Sequence, residues 1–513
     1  MYTFPSKLKT FSIILMVLGI LGIGYGFLTA PKTIQDVEKI LAAESHGHGG
    51  GHESNKQYEI KDDTKLDDPA KHVTGGEGDA HETTINLTGN PVESSQDSLK
   101  TETNHEAAAD TAVAEVEIAA AAHTEEAAPH SGHEKSDAHS DHAAHEKHLA
   151  HVLHQLQNKP WAALYVACIF FMLVSLGVLA FYAIQQVSQA GWSPVLFRVM
   201  QGITAYLLPG SIIFFILLLL SGFHINHLFI WMDPEVVKVD KFIQNKSGYL
   251  NFPFWIIRAA IFLAGWNLYR YFSRKNCLAQ DEANDDSNYK KNFKLSAAFL
   301  VFFIVTESIM SWDWIMSIDP HWFSTLFGWY VFASFFVSGI TTICMVTLYL
   351  KSKGYLEYVN SSHIHDLAKF MFGISVFWTY LWFSQFMLIW YANIPEEVTY
   401  FVTRIEHYNL PFFGAVVMNF VFPILILVNT DFKRVTWILV MAGTVILLGH
   451  YIDFFNMIMP SAVGDRWFIG AAEIGSLLFF LGLFLLIVFT ALTKVPLFPK
   501  RNPFIEESKH FHY

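Results

Sequence analysis

The chain has little of what ties a protein to water, and almost no thiol to ligate metal or crosslink. Only 16% of its 513 residues are Asp, Glu, Lys or Arg, well below the roughly one-quarter typical of soluble domains. Cysteine is nearly absent. Cys168, Cys277 and Cys344 are too far apart to form CxxC or CxxCH, which excludes covalent c-type haem, a zinc ribbon and an iron–sulfur cluster ligated by this chain alone. Cys168 and Cys344 lie in apolar runs and read as small hydrophobes. Basic residues are scattered at the ends of apolar runs rather than gathered on one face, so nucleic acid is not an expected partner.

Hydrophobic residues make up 52% of the chain, with Trp and Tyr common where apolar runs end, as interfacial belts require. A spanning helix needs about 20 mostly apolar residues. Ten segments qualify, near 11–30, 161–185, 203–221, 253–271, 295–312, 323–350, 370–390, 412–429, 437–457 and 467–492. The expected fold class is an all-α polytopic membrane protein of ten transmembrane helices. The expected organisation is an N-terminal helix (1–30), a His-rich insert (31–159), helical membrane units at 160–350 and 351–493, and a tail (494–513).

Arg270, Arg274, Lys275, Lys290, Lys291 and Lys294 share one side of the membrane. If the spans alternate, Lys7, Lys9, Lys351, Lys353, Lys433, Arg434, Lys494, Lys500 and Arg501 join them. The positive-inside rule then places both termini in the cytoplasm and the insert on the outer side. Lys238, Lys241 and Lys246 are a local exception. The first segment is read as an uncleaved helix; its rival is a secretory signal, although no A-x-A site precedes Pro31. Gly22 and Gly26 form a GxxxG that either packs on a neighbouring helix or is chance in a Gly-rich run. Pro209 and Pro423, inside spans, should kink or open their helices.

From 44 to about 146 the chain is low in complexity and almost free of aromatics, so disorder is expected. His142, His145, His148, His151 and His154 then recur every third residue, which predicts a surface helix leading through Pro160 into the second span. The tract reads either as a solvated loop or as a collector of Zn or Cu.

Ionisable residues inside apolar runs are functional hypotheses by default. Arg258, Glu307, His450, Asp453 and Glu473 all fall in the outer halves of their spans, with Asp313 just beyond. His450 and Asp453 are three apart and share a helix face. Two readings stand: a proton relay in one water-accessible cavity, with Arg258 setting charge states, or buried ion pairs such as Arg258 with Glu307. At the rim, Asp319-Pro320 resembles a helix start, and His224, His227, Asp233, His321, Glu396, Glu397 and His407 fall in the loops of the same outer side, as interfacial residues or helix caps. Ser384, Gln385 and Tyr391 supply neutral hydrogen-bonding groups beside aromatic rings, which suits either a quinone headgroup or ordinary interhelical bonding. Bis-His haem b is not expected, because only His450 lies well inside a span. Trp231-Met232-Asp233-Pro234 and Ser317-Ile318-Asp319-Pro320 echo each other faintly.

The runs 314–328 (WIMSIDPHWFSTLFG) and 383–397 (FSQFMLIWYANIPEE) resemble those of the large F-type membrane subunits of bacterial alternative complex III, relatives of the NrfD/polysulfide-reductase membrane anchors. The resemblance covers about 161–492 and leaves the His-rich insert outside. It implies two four-helix bundles with two peripheral helices. It also implies lipid surroundings and assembly with a sister NrfD-like (C-type) membrane subunit, periplasmic iron–sulfur and c-haem subunits, and often a terminal oxidase. Quinol is then oxidised near the periplasmic face, with the haem c and iron–sulfur clusters on other chains. The expected contribution of this chain is a proton pathway through Glu307, His450, Asp453, Glu473, Arg258 and Asp313, and a quinone pocket that could draw on Ser384, Gln385, Tyr391, Asp319 and His321. It binds no cofactor or metal of its own on this reading. The competing function is a self-contained ion or metal transporter.

Overall fold

A computed structural model describes residues 2–47 and 134–512, with side chains over 2–42 and 149–512. The side chains of His142, His145 and His148, and most of the segment expected to be disordered, lie outside the described residues; His151 and His154 lie within them. The chain divides into two units, Met1–Gly47 with His139–Tyr513 and His48–Ala138. The first of these is described below.

The chain is an all-α polytopic membrane protein, and among the described residues ten helices are long and apolar enough to span a bilayer. In order they are Ser6–Thr29, Leu149–Val187, Pro194–Gly222, Phe252–Gln280, Ser287–Ile318, Phe327–Ser352, Ser361–Ala392, Asn409–Leu427, Thr436–Val463 and Ala471–Leu492, here the first to tenth spans. Several outrun the apolar stretches that announce them, because polar first turns and caps extend a helix past its lipid-facing part. Asn251 caps the fourth span through Phe254 N, and Asn360 with His363 closes a capping box on the seventh. The second span is the end of one helix, Glu134–Val187, which passes through Pro160 without breaking.

Spans two to five form one four-helix bundle and spans six to nine another. In the first, Tyr165 Oη donates to Trp314 O (2.8 Å), and Asn267 Nδ2 donates to Ser211 Oγ (3.0 Å). Spans two and six are the central staves: 94% and 89% of their most apolar windows are buried, against 17% for the first span. They approach where a Cβ on Gly177 would stand 2.6 Å from Phe335 O. The first and tenth spans pair at the periphery through small residues. A Cβ on Gly22 would lie 2.8 Å from Gly475 Cα, and one on Gly26 2.5 Å from Ala472 Cβ. The GxxxG therefore packs on a neighbour, as close backbone approach in a membrane requires.

Both intramembrane prolines disturb their helices locally. A 3₁₀ turn, Thr204–Tyr206, sits just ahead of Pro209, and a π turn, Val417–Val421, just ahead of Pro423. Each proline lacks the N–H that would bond four residues back. Asp319-Pro320, however, starts no helix. Asp319 Oδ1 instead accepts from His321 N (3.2 Å) in an Asx-type turn, and the sixth span begins at Phe327. Its sequence echo, Asp233-Pro234, does start a short helix, with the Asp233 carboxylate accepting from Glu235 N.

Candidate functional site

The second bundle buries a connected polar cluster. Asp453 and His450 project from one face of the ninth span, 2% and 0% exposed. Asp453 Oδ2 accepts from Ser334 Oγ (2.9 Å) and Trp378 Nε1 (2.9 Å), and Oδ1 accepts from Tyr330 Oη. Tyr330 and Ser334 lie on the sixth span and Trp378 on the seventh. Ser334 Oγ is also 2.9 Å from His450 Nδ1, while Nδ1 and the carboxylate are 3.7 Å apart. A hydroxyl has one proton to give. With Ser334 donating to Asp453, His450 must donate from Nδ1–H to Ser334, which leaves Nε2 as a bare acceptor. Nε2 has no hydrogen-bond partner among the described residues, and neither does the Asn419 amide. Asn419 belongs to the π turn and packs beside Gly449, next to His450.

Between this cluster and the rim lies Arg404, on the helix Pro395–Glu406 and 2% exposed. It has no ion pair among the described residues. Its Nε donates to Asn456 O (3.0 Å) and its Nη1 to Tyr400 O (2.8 Å). Asn456 O is the carbonyl that Pro460 cannot reach four residues on, so the arginine satisfies a vacancy in the ninth helix. The guanidinium lies 3.3 Å from the Tyr400 ring centre, and Trp322 stacks on that ring at 4.0 Å. Burial pushes the Arg404 guanidinium down and the Tyr400 phenol up; the charges of Tyr400, Tyr330 and Asp319 oppose the first shift.

At the rim a cavity of about 500 Å³ is lined by His151, His154, His224, His227, Asp233, Asp319 and His321, with apolar walls from Phe229 and Ile318. His321 Nε2 meets Asp240 Oδ2 at 2.6 Å, and the ring stacks on Phe242. That hydrogen bond, with backbone N–H groups of the next helix, lowers the Asp240 carboxyl. His227 lies below the ordinary histidine value, through desolvation and then His154, against a smaller opposing effect of Asp233. Burial likewise lowers Lys246, whose Nζ donates to Pro320 O (2.7 Å). Among the described residues no three His, Cys, Asp or Glu side chains are placed to hold a metal ion.

The remaining expected residues do not join this cluster, and the single cavity shared by all six is not what forms. Arg258 pairs with Asp313 rather than Glu307: Nε donates to Oδ2 (2.6 Å) and Nη2 to Oδ1 (2.9 Å), while Tyr249 Oη donates to Oδ1 (2.8 Å). Asp313 lies six residues beyond Glu307, in the last turn of the α-helix that ends at Trp314, and its bidentate fit occupies the Arg258 guanidinium. Glu307 is 4% exposed and bonds locally, accepting from Ser308 Oγ (3.2 Å) and Ser311 Oγ (3.4 Å). Glu473 caps the tenth span by accepting from Gly470 N (2.9 Å), and lies 3.8 Å from Lys159 Nζ in the first span's neighbourhood. It lines a separate cavity of about 520 Å³ with Tyr25, Pro31 and Phe468.

The expected quinone set also separates. Asp319 and His321 line the rim cavity. Tyr391 is 81% exposed on the outside of the seventh span, Ser384 is half-buried, and Gln385 is buried with Nε2 unpartnered. Ser384 and Tyr391, seven residues apart, share one face of the helix, while Gln385 is turned about 100° away toward the interior. Sequence reasoning missed Ser334, Tyr330, Trp378, Asn419, Arg404 and Lys159. Asn419, four residues before Pro423 in an apolar run, was visible as an intramembrane amide; Ser334 was one small polar residue among many.

No protein-family model matches the chain, and no curated protein matches it.

Proposed function

We propose that this chain is a membrane subunit of a respiratory quinol:cytochrome c, or quinol:oxidase, oxidoreductase of the alternative complex III kind, with a proton path through its second bundle. The observation that carries this reading is the buried line His450–Ser334–Asp453, with the acceptor Nε2 open at one end. A proton arriving at Nε2 lets Nδ1–H pass to Ser334 Oγ, whose own proton moves to Asp453. Tyr330 holds the other carboxylate oxygen, and Arg404 supplies a fixed positive charge toward the rim. Reversal of the same steps releases the proton at Nε2, so the line takes up and gives back a proton without net chemistry.

On this reading the rim faces the periplasm, and a quinol headgroup meets the cavity lined by Asp319 and His321. Electrons leave through iron–sulfur clusters and c-type haem on partner chains, beside a sister NrfD-like subunit. Glu307, Asp313, Arg258 and Glu473 then serve the fold and the lesser cavity rather than the line itself.

The test is turnover and proton release of the purified, assembled complex carrying His450→Gln, Asp453→Asn or Ser334→Ala. Loss of a positioned proton-transfer group lowers rates by roughly a hundredfold or more, and assembly should persist. Wild-type turnover and proton yield in all three variants would remove the line from the mechanism. Purification as a colourless single chain with metal-dependent transport would favour a self-contained transporter instead.

A further inference from the structure

At the end opposite the rim, the third, fourth and tenth spans enclose a groove of about 720 Å³. Arg270, Arg274 and Lys275 line it from the fourth span and Lys494 from just past the tenth, with Leu486 and Ile487 as apolar wall. We propose that this groove binds an anionic phospholipid, its phosphodiester held by the arginines and its acyl chains along the apolar wall.

The four cations are uncompensated. Among the described residues none of them has an ion pair. The arginines' side-chain bonds are few and long: Arg270 Nε to Thr204 Oγ1 (3.3 Å) and Arg274 Nη1 to Gln201 O (3.5 Å). Most of their N–H groups therefore remain for a ligand. Arg198, on the third span nearby, shows the contrast, since Asp281 neutralises it. Lys290, Lys291 and Lys294, on the same side of the membrane, are simply exposed. Arg270 and Arg274 are half-buried, and a desolvated charge without a counter-ion is unfavourable.

The missing counter-charge has a definite chemistry. A guanidinium fork fits phosphate oxygens bidentately, and basic pockets between spans on the cytoplasmic side suit lipid headgroups. Free phosphate would leave Leu486 and Ile487 without a partner. A zwitterionic lipid would bring its own cation and leave the excess charge in place.

The experiment uses the full chain purified in detergent. Co-purified lipid is quantified by mass spectrometry, and thermal unfolding is followed with added phosphatidylglycerol, phosphatidylcholine or inorganic phosphate. Phosphatidylglycerol should raise the melting temperature and the other two should not. Lys275→Gln with Lys494→Gln, both at exposed positions, should weaken retention of anionic lipid by about thirtyfold, as loss of two near-surface cations implies. Arg270→Gln with Arg274→Gln should do so at least as strongly, and Lys353→Gln, outside the groove, should not. Equal stabilisation by phosphatidylcholine, equal stabilisation by inorganic phosphate, or undiminished lipid in the lysine pair would each overturn the assignment.

Discussion

Asp313 is wholly buried, and the guanidinium of Arg258 balances its charge from two directions. Tyr249 and Phe254 cover that guanidinium at 4.0 and 4.3 Å from their ring centres. Trp255 Nε1 and Ser317 Oγ both donate to Asp313 O, so backbone and side chain are pinned together. Removing one member of such a pair strands the other charge away from water, which costs about 3–5 kcal/mol. Asp313→Ala should therefore lower the detergent melting temperature markedly, while Arg258→Met with Asp313→Leu recovers much of the loss. A single variant as stable as the parent would show that the pair is not an anchor. His450 is the opposite case, buried with one nitrogen engaged and the other free. That free nitrogen leaves His450 open to exchange a proton, whereas Asp313 is held from both carboxylate oxygens.

Among elements, the pairing of the first and tenth spans depends on a run of small residues. Gly19, Gly22 and Gly26 each face the tenth span with no room for a Cβ, and Gly475 faces Gly22 from the other side. The atoms in the way at Gly22 and Gly475 are backbone, which cannot rotate aside. Gly475→Val should cost about 1–3 kcal/mol by overpacking and make the first span accessible to protease in detergent. Gly24→Val, where a Cβ meets nothing within 4 Å, is the matched control. If both variants resist protease alike, this pair is held by something other than close approach. The π turn in the eighth span is a second elemental feature. Pro423 withholds one N–H, the helix widens, and the Asn419 amide is left beside Gly449 at the depth of His450.

Over the whole molecule, the basic end and the rim end differ in kind. The rim carries histidines, carboxylates and short amphipathic helices, and the other end carries most of the lysines and arginines. With ten spans, both termini fall at the basic end. The positive-inside rule predicts that Lys494→Cys reacts with an impermeant thiol reagent only in opened cells, and that Glu396→Cys reacts in intact ones. The reverse pattern would invert the topology and with it the periplasmic placement of the rim cavity.

How much of this was legible in the chain follows from the range of each interaction. Span number, the proline disturbances, the GxxxG contact and the His450–Asp453 face all depend on spacing within one helix, and spacing is written in the sequence. The partners of Arg258, Glu307 and Glu473 were not legible, because similar depth places groups on a common level but leaves their rotation about each helix free. Rotation is set by packing: Trp314, Phe214 and Trp266 around the fifth span turn Asp313 toward Arg258, and Ser308 and Ser311 remain as the neighbours of Glu307. The sequence by itself determined an all-α chain of ten spans and which of its side chains could titrate. Only the tertiary structure decided which of them meet, since a carboxylate's partner is chosen by the packing of another helix, 55 residues away for Arg258 and Asp313 and 119 for Ser334 and Asp453.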